Sequence, residues 1–472
     1  MSIFYQVAAT GVVSYLCLSM GIMYTWPSST LVLFSSANTT LNRPMTETEI
    51  ALLGSLSSIS ALVSTPFSSY ILDTIGRKYC CLIFSLLQVV SWLLVSFFYT
   101  VEVVLTSVII SGFCCCATLA VPIYVNEVCE DSIRGSMCSG AMVFYGLGML
   151  VSYLMGGYMS YDAMNYACLA ITILGVVLLL FLKDSPTYLL SKGRDKEAAQ
   201  AIAFYRGTKV TSKTVEEELQ ALRMTLNAAL DDDVSTPEEE KLNADLKERP
   251  KESIWSFLKK SRSTRRALFV LIVLYTTSIF QGLMVVQVYA EPLFAEAIPT
   301  MSPTICSVIF AVVMVVAGFF AAYLVETAGR RPLMLYATFG SGICCILLGT
   351  QIHLHWGPHW LTACIIYVYG VVYSCGAGTV PFVMGAEIFL PEIRSFASML
   401  SVEWSLLCGF VVLFLFNPLV TAIGLGPIFY IFSVVCFVST IFCYFCLPET
   451  KGLSVDAIQL LFAKPRRRNL TA

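Results

Sequence analysis

Apolar residues in this chain come in long, nearly unbroken runs. Runs of the roughly 20 residues needed to cross a bilayer cover 4–26, 50–72, 79–99, 104–126, 137–158 and 163–182. Six more follow at 267–290, 303–325, 333–352, 359–385, 397–421 and 427–447. Between the sixth and seventh, charge replaces apolar continuity. The pattern predicts an all-α polytopic membrane protein of twelve transmembrane helices. It divides into an N-terminal six-helix unit over 1–182, a charged cytosolic loop over 183–266, a C-terminal six-helix unit over 267–447 and a cytosolic tail over 448–472. No basic residue precedes the first run and no small-residue cleavage site follows it, so it reads as a retained span.

Composition agrees. Hydrophobic residues make up 57% of the 472 and charged residues only 13%, about half the level of a soluble domain. Residues 183–266 hold 17 of the 29 Lys and Arg and 15 of the 31 Asp and Glu. A soluble enzyme, a nucleic-acid binder and a disordered chain are all excluded by this distribution. With both termini in the cytosol, every Lys and Arg but Arg43 falls on the cytosolic side, as the positive-inside rule requires. Asn38-Thr39-Thr40 then lies in the first external loop, where a glycan can be added, while the sequon at Asn469 is cytosolic.

The central loop carries two stretches with helical apolar spacing, 192–207 and 215–230, and then acidic runs at 231–233 and 238–240. They read as solvated faces and a linker, with a latch role as the alternative. The 18 cysteines lie almost entirely in apolar runs and read as packing residues. His353, His355 and His359 share one short external loop with Trp356 and Trp360. An interfacial aromatic belt explains them better than a metal site. No nucleophile–base pair, phosphate loop or metal cluster is present in the pattern, so neither enzyme chemistry, cofactor nor metal is expected. The basic tail from Lys464 to Arg468 reads as a topology signal or a contact with anionic lipid.

Two charge patterns repeat between the halves. Asp73, Gly76, Arg77 and Lys78 follow the second run, and Glu326, Gly329, Arg330 and Arg331 follow the eighth, an offset of 253 residues from Asp73 to Glu326. Glu127 precedes Arg134 by seven positions after the fourth run. Glu387 precedes Arg394 by seven after the tenth, an offset of 260. Duplication of a six-helix unit is the economical reading. An acid ending one span with bases just beyond it can bridge neighbouring helix ends, and such bridges can bias a two-state equilibrium.

With these motifs the chain resembles the sugar porters of the major facilitator superfamily, and within them it is similar to insect facilitated trehalose transporters. The markers also include Pro122 to Glu127, Asp184-Ser185-Pro186, Leu189 to Arg194, Glu387 to Pro391 and Pro448 to Gly452. The resemblance implies two six-helix bundles around a central cavity, alternating access, and a small carbohydrate as cargo. It also implies a gate network of Asp73, Arg77, Glu127, Arg134, Glu326, Arg330, Glu387 and Arg394 that locks the cytosolic side in the outward-facing state.

At the family's sugar-contact positions this chain has Met142, Ser278, Ile279, Met284, Met314, Phe382, Ser405 and Leu406. Methionine and aliphatic residues cannot re-pair the hydroxyls of a sugar leaving water. Gln281, between Ser278 and Met284, is the nearest replacement amide. Span 1 lacks a charged residue, and Ser107 occupies the position of the coupling arginine of proton-driven members, which favours facilitated diffusion. Glu403 in span 11 is the one clear intramembrane acid; it either lines the cavity or reaches cytosolic water. The expected function is facilitated diffusion of trehalose or a hexose across the plasma membrane. The rivals are a less polar cargo and a non-transporting sensor. Nothing in the sequence specifies an oligomeric state.

Overall fold

The computed structural model describes residues 2–231, 262–389, 391–451, 453 and 455–463. The side chains of Arg134, Glu326 and Arg394 fall outside the described ones, as do the acidic run at 238–240 and the basic tail at 464–468. Among the described residues every regular element is helical. Eleven helices among the described residues are long and apolar enough to cross a membrane. The twelfth span, fourth in the chain, is built of three pieces: Val101–Phe113, a 3-10 turn at Cys114–Cys116, and Ala117–Val128. Pro122 lies in the last piece; it lacks an N–H and its ring opposes the carbonyl four residues back.

Helix ends overrun the apolar runs because caps, rather than hydropathy, stop them. Span 1 is Ser2–Ser35 and span 2 is Glu47–Ile75. Span 2 opens on a capping box in which Thr46 and Glu49 satisfy each other's backbone N–H. Arg43, in the loop between spans 1 and 2, pairs with Glu49 at 2.6 Å and Glu102 at 3.3 Å. Spans 3, 5 and 6 are Arg77–Phe97, Asp131–Tyr158 and Tyr161–Leu180. In the second half, spans 8 and 9 are Pro303–Ala328 and Arg330–Leu354. Span 10 is His359–Cys375 continued after a turn by Val380–Glu387. Spans 11 and 12 are Pro391–Ile423 and Leu425–Cys446.

The seventh run, continuous in hydropathy, is broken in space. Arg262–Phe280 ends at Gln281, Gly282 turns the chain at φ +97°, and Leu283–Val288 and Ala290–Ala297 carry it outward. Glycine is required there twice over. The backbone is left-handed, and a Cβ would stand 2.3 Å from the ring of Phe432 in span 12.

Within the first half, span 1 packs along span 5. A Cβ on Gly21 would meet the Tyr145 carbonyl at 2.2 Å and one on Gly148 the Leu18 carbonyl at 2.1 Å, the small-residue contact that membrane helices use where no hydrophobic effect drives them together. The halves meet mainly along span 2 against span 11 and span 5 against span 8, and also where span 1 touches Leu283–Val288 and Ala290–Ala297. Three further helices, Pro186–Ser191, Asp195–Arg206 and Lys213–Asp231, follow span 6. Arg206 ties them down. It pairs with Glu218 at 2.5 Å and donates to the Val128 carbonyl at the end of span 4 at 3.0 Å. The second and third loop helices are therefore tied to the end of span 4.

Candidate functional site

The repeated charge motifs build one device twice. In the first half Arg77 grips Glu127 through two nitrogens, at 2.8 Å from Nη2 and 2.8 Å from Nε, and donates to the Leu72 carbonyl. In the second half Arg330 holds Glu387 at 2.6 Å and 3.2 Å and donates to the Val325 carbonyl. Both are two-point guanidinium–carboxylate pairs. Asp73 is peripheral: it is 70% exposed and 3.6 Å from Arg77, so it adds little. Each described pair joins helices within one half, so the bridge runs between spans of the same bundle.

The acids that fix these turns are ones the spacing of side-chain charges could not single out. Asp184, just after span 6, accepts the backbone N–H groups of Arg77 and Lys78 at 3.1 Å each. Glu449, just after span 12, accepts those of Arg330 and Arg331 at 3.0 Å each, and those of Thr450 and Lys451. Spans 3 and 9 begin at glycines, which supply no capping side chain. A carboxylate from another span therefore fills the orphan-donor site at each helix N-terminus. Gly76 and Gly329 have φ of +109° and +90°. A Cβ on Gly76 would stand 2.3 Å from Asp184 Oδ2, and one on Gly329 2.9 Å from Glu449 Oε2. Burial alone would push the Glu449 carboxyl up, but its backbone donors hold it below the ordinary carboxylate value.

At the centre, the break in span 7 exposes backbone carbonyls, and tyrosines answer them. Tyr373 donates to Ser278 O at 3.0 Å, Tyr369 to Gln281 O at 2.6 Å and Tyr153 to Gln287 O at 2.6 Å. Tyr289, in span 7 itself, donates to Leu413 O of span 11 at 3.1 Å. Tyr153 belongs to the other half, so one of these bonds crosses between bundles. Amide positions do not reveal this tyrosine set, whose only signal in the sequence is the abundance of tyrosine in spans 5, 7 and 10.

The expected cavity positions divide. Gln281 is wholly buried, and neither amide atom has a partner among the described residues. The buried Ser278 hydroxyl is likewise unpartnered. These two are polar groups one turn apart beside the helix break. Ile279 is half-buried against the core of the second half. Met284 lies against Gly409 of span 11, its methyl 3.0 Å from where a Cβ would be. Met314 accepts a weak bond from Ser374 at 3.8 Å. Met142 is 72% exposed on span 5, and Phe382 is 59% exposed, its ring edge-on to Tyr275 at 5.3 Å. Ser405 and Leu406 are half-buried. Their neighbour Trp404, which the sequence reading passed over, donates its indole N–H to Thr276 at 2.8 Å and links span 11 to span 7. Glu403 has one buried carboxylate oxygen without a partner. Span 11 begins at Pro391, so Glu403 stands twelve residues, about 18 Å, from the helix start, deeper than the apolar run alone suggested. Asn38 is exposed in the loop after span 1.

Comparison with known proteins agrees with this geometry. The model of the family "Sugar (and other) transporter" matches residues 10–462. The facilitated trehalose transporter Tret1 of Polypedilum vanderplanki is 28% identical over 97% of this chain and 88% of its own length. Tret1 of Drosophila yakuba is 27% identical over 96% of this chain, which spans about half (51%) of that relative. In structure, the inward-open xylose transporter XylE from E. coli superposes with a TM-score of 0.77 at 18% identity, covering 96% of this chain and 99% of XylE. XylE bound to 6-bromo-6-deoxy-D-glucose gives a TM-score of 0.70 at 18% identity, covering 98% and 100%. The fold is that of the major facilitator superfamily, and the chain belongs to the sugar (and other) transporter family.

Proposed function

We propose that this protein carries a small carbohydrate, of the trehalose or hexose class, across the plasma membrane by facilitated diffusion through alternating access, with both termini in the cytosol. The observation that carries the reading is the broken seventh span. It stands between the two halves with the Gln281 amide and the Ser278 hydroxyl unpartnered at the break, and buried polar atoms without partners suit a ligand whose hydroxyls must be re-paired on leaving water. The names of the insect relatives and the two duplicated charge devices support the same reading. The absence of charge from span 1 and the serine at 107 support diffusion without proton coupling. Sugar contact at Met142, Met284, Met314 and Phe382 is by packing, with hydrogen bonding left to Gln281, Ser278 and the tyrosines.

The test is uptake of labelled trehalose, glucose and fructose into proteoliposomes. Saturable flux of at least one, unaffected by an imposed pH gradient across the bilayer at fixed external pH, is expected. Gln281→Ala is expected to raise KM about tenfold or more, since a lost hydrogen bond in a dry site costs about 1–3 kcal/mol. Flux unchanged in that variant removes Gln281 from the site. Absence of flux of all three sugars overturns the carbohydrate assignment. Topology has its own check: Asn38→Gln is expected to abolish a glycosidase-sensitive gel shift in insect cells, whereas Asn469→Gln leaves it.

A further inference from the structure

The outer seam contains an acid that the carbohydrate reading does not use. Glu291 lies just past the outer end of span 7, in the helix Ala290–Ala297, where the two bundles touch. Its backbone N–H donates to Ser28 Oγ of span 1 at 2.8 Å. Its carboxylate accepts from Thr304 Oγ1 of span 8 at 3.5 Å, and the buried Ser29 hydroxyl of span 1 lies close to the same carboxyl without a hydrogen-bond partner among the described residues. From span 5 the group facing it is the phenol of Tyr153, already committed to Gln287 O. On its own helix Glu296 is exposed. Among these neighbours none is a cation.

Glu291 is half-buried in this arrangement, and burial pushes its carboxyl up, with the Thr304 hydroxyl offsetting part of the rise. When the seam parts, Ser28 and Ser29 leave with the first half, and the carboxyl faces external water with an ordinary value. Closing the seam over a charged carboxylate strips its water without supplying a counter-charge. Closing it over the neutral acid does not, and the acid's O–H can donate to a seam hydroxyl.

We propose that Glu291 is a proton-operated latch on the external gate: the neutral acid seals the seam between the bundles, and its ionisation loosens it. The proton comes from the external solvent to the Glu291 carboxylate on closing and returns to the same solvent on opening. The latch therefore sets the inward–outward equilibrium without coupling a proton to net transport. The sign follows from linkage. A group that binds its proton more tightly in the closed form favours that form at low pH, and the advantage is lost as external pH rises through the raised value. The latch rests on alternating access and is indifferent to the cargo.

The full-length protein in nanodiscs, with spin labels attached through introduced ketone amino acids at the exposed positions Ala37 and Thr300, reads the width of the outer seam directly. Between pH 7.5 and 5 the closed-to-open ratio is expected to rise about threefold or more, each unit of differential proton affinity being worth up to tenfold. Glu291→Gln, permanently neutral, should hold the closed population high and flat with pH. Glu291→Asp should restore the pH response, and Glu296→Gln should leave it as in the parent. A pH-invariant ratio in the parent, or an unchanged pH response in Glu291→Gln, overturns the latch. Uptake of labelled trehalose, glucose and fructose, measured on the same preparations, separates the two ideas: no flux of any of the three with the pH-dependent distance intact rejects the cargo assignment and supports the latch.

Discussion

Asp184 and Glu449 are single carboxylates that hold the cytosolic turns by binding peptide N–H groups rather than side chains. Each closes a helix start whose own first residue is a glycine and can offer no cap. Neutralising such a group keeps its shape and removes the charge that makes its bonds strong. Glu449→Gln is therefore expected to cost about 1–3 kcal/mol, visible as a lowered thermal unfolding temperature in detergent, with Asp184→Asn behaving alike. The pH limb carries a sign. The Glu449 carboxyl is held below its ordinary value in the folded chain. Its contribution is thus complete above the ordinary carboxylate range and is lost as pH falls through the lowered value. Unfolding temperatures measured from pH 6 down to pH 3 should converge between the parent and Glu449→Gln at the acid end. A constant gap across that range would count against the capping role. The arginine–glutamate pairs were legible in the sequence because both partners are side chains at a repeated spacing. The two caps were not, because their partners are backbone atoms that every residue possesses.

The broken seventh span shows the same limit at the level of an element. Hydropathy over 267–290 is continuous, so the sequence predicts one helix there. Only the Gln281-Gly282 pair hints otherwise, and glycine in an apolar span more often permits close packing than a break. What turns the chain is tertiary: Phe432 fills the space beside Gly282, and phenols from spans 5 and 10 donate to the loose carbonyls. Trp404 was missed for a related reason. Matching by position put attention on Ser405 and Leu406, while the indole one residue earlier makes the bond to Thr276. The break gives a direct prediction. Tyr369→Phe removes the donor to the buried Gln281 carbonyl and leaves that oxygen unsatisfied, at a cost of about 1–3 kcal/mol. Gly282→Ala adds a Cβ in a left-handed backbone, strained by about 1–2 kcal/mol, as well as a clash with Phe432. Thermal stability should fall in both variants and further in Gly282→Ala. If Gly282→Ala is as stable as the parent, the break is not held by the packing described.

Across the whole molecule, the all-helical polytopic fold was readable from the apolar runs, because the bilayer restricts a chain to few solutions. Which faces of the halves touch was not readable, because that depends on a few small residues at the seams. Gly157, near the outer end of span 5, is one of them: a Cβ there would stand 1.9 Å from Thr304 Cγ2 of span 8, beside Glu291. A larger residue at 157 cannot be relieved by a rotamer change at Thr304 alone, since Thr304 is at the start of span 8 and its Oγ1 is also within 2.4 Å of the same point. Gly157→Leu therefore acts as a wedge between the bundles. It is expected to favour the form in which the outer seam is open while leaving each bundle's own packing in place. Labels at Ala37 and Thr300 should report a longer distance at every pH, and carbohydrate exchange should fall at least tenfold because one of the two required states becomes scarce. If the wedge slowed exchange without lengthening that distance, its effect would lie within the first bundle and the seam would not be the moving part.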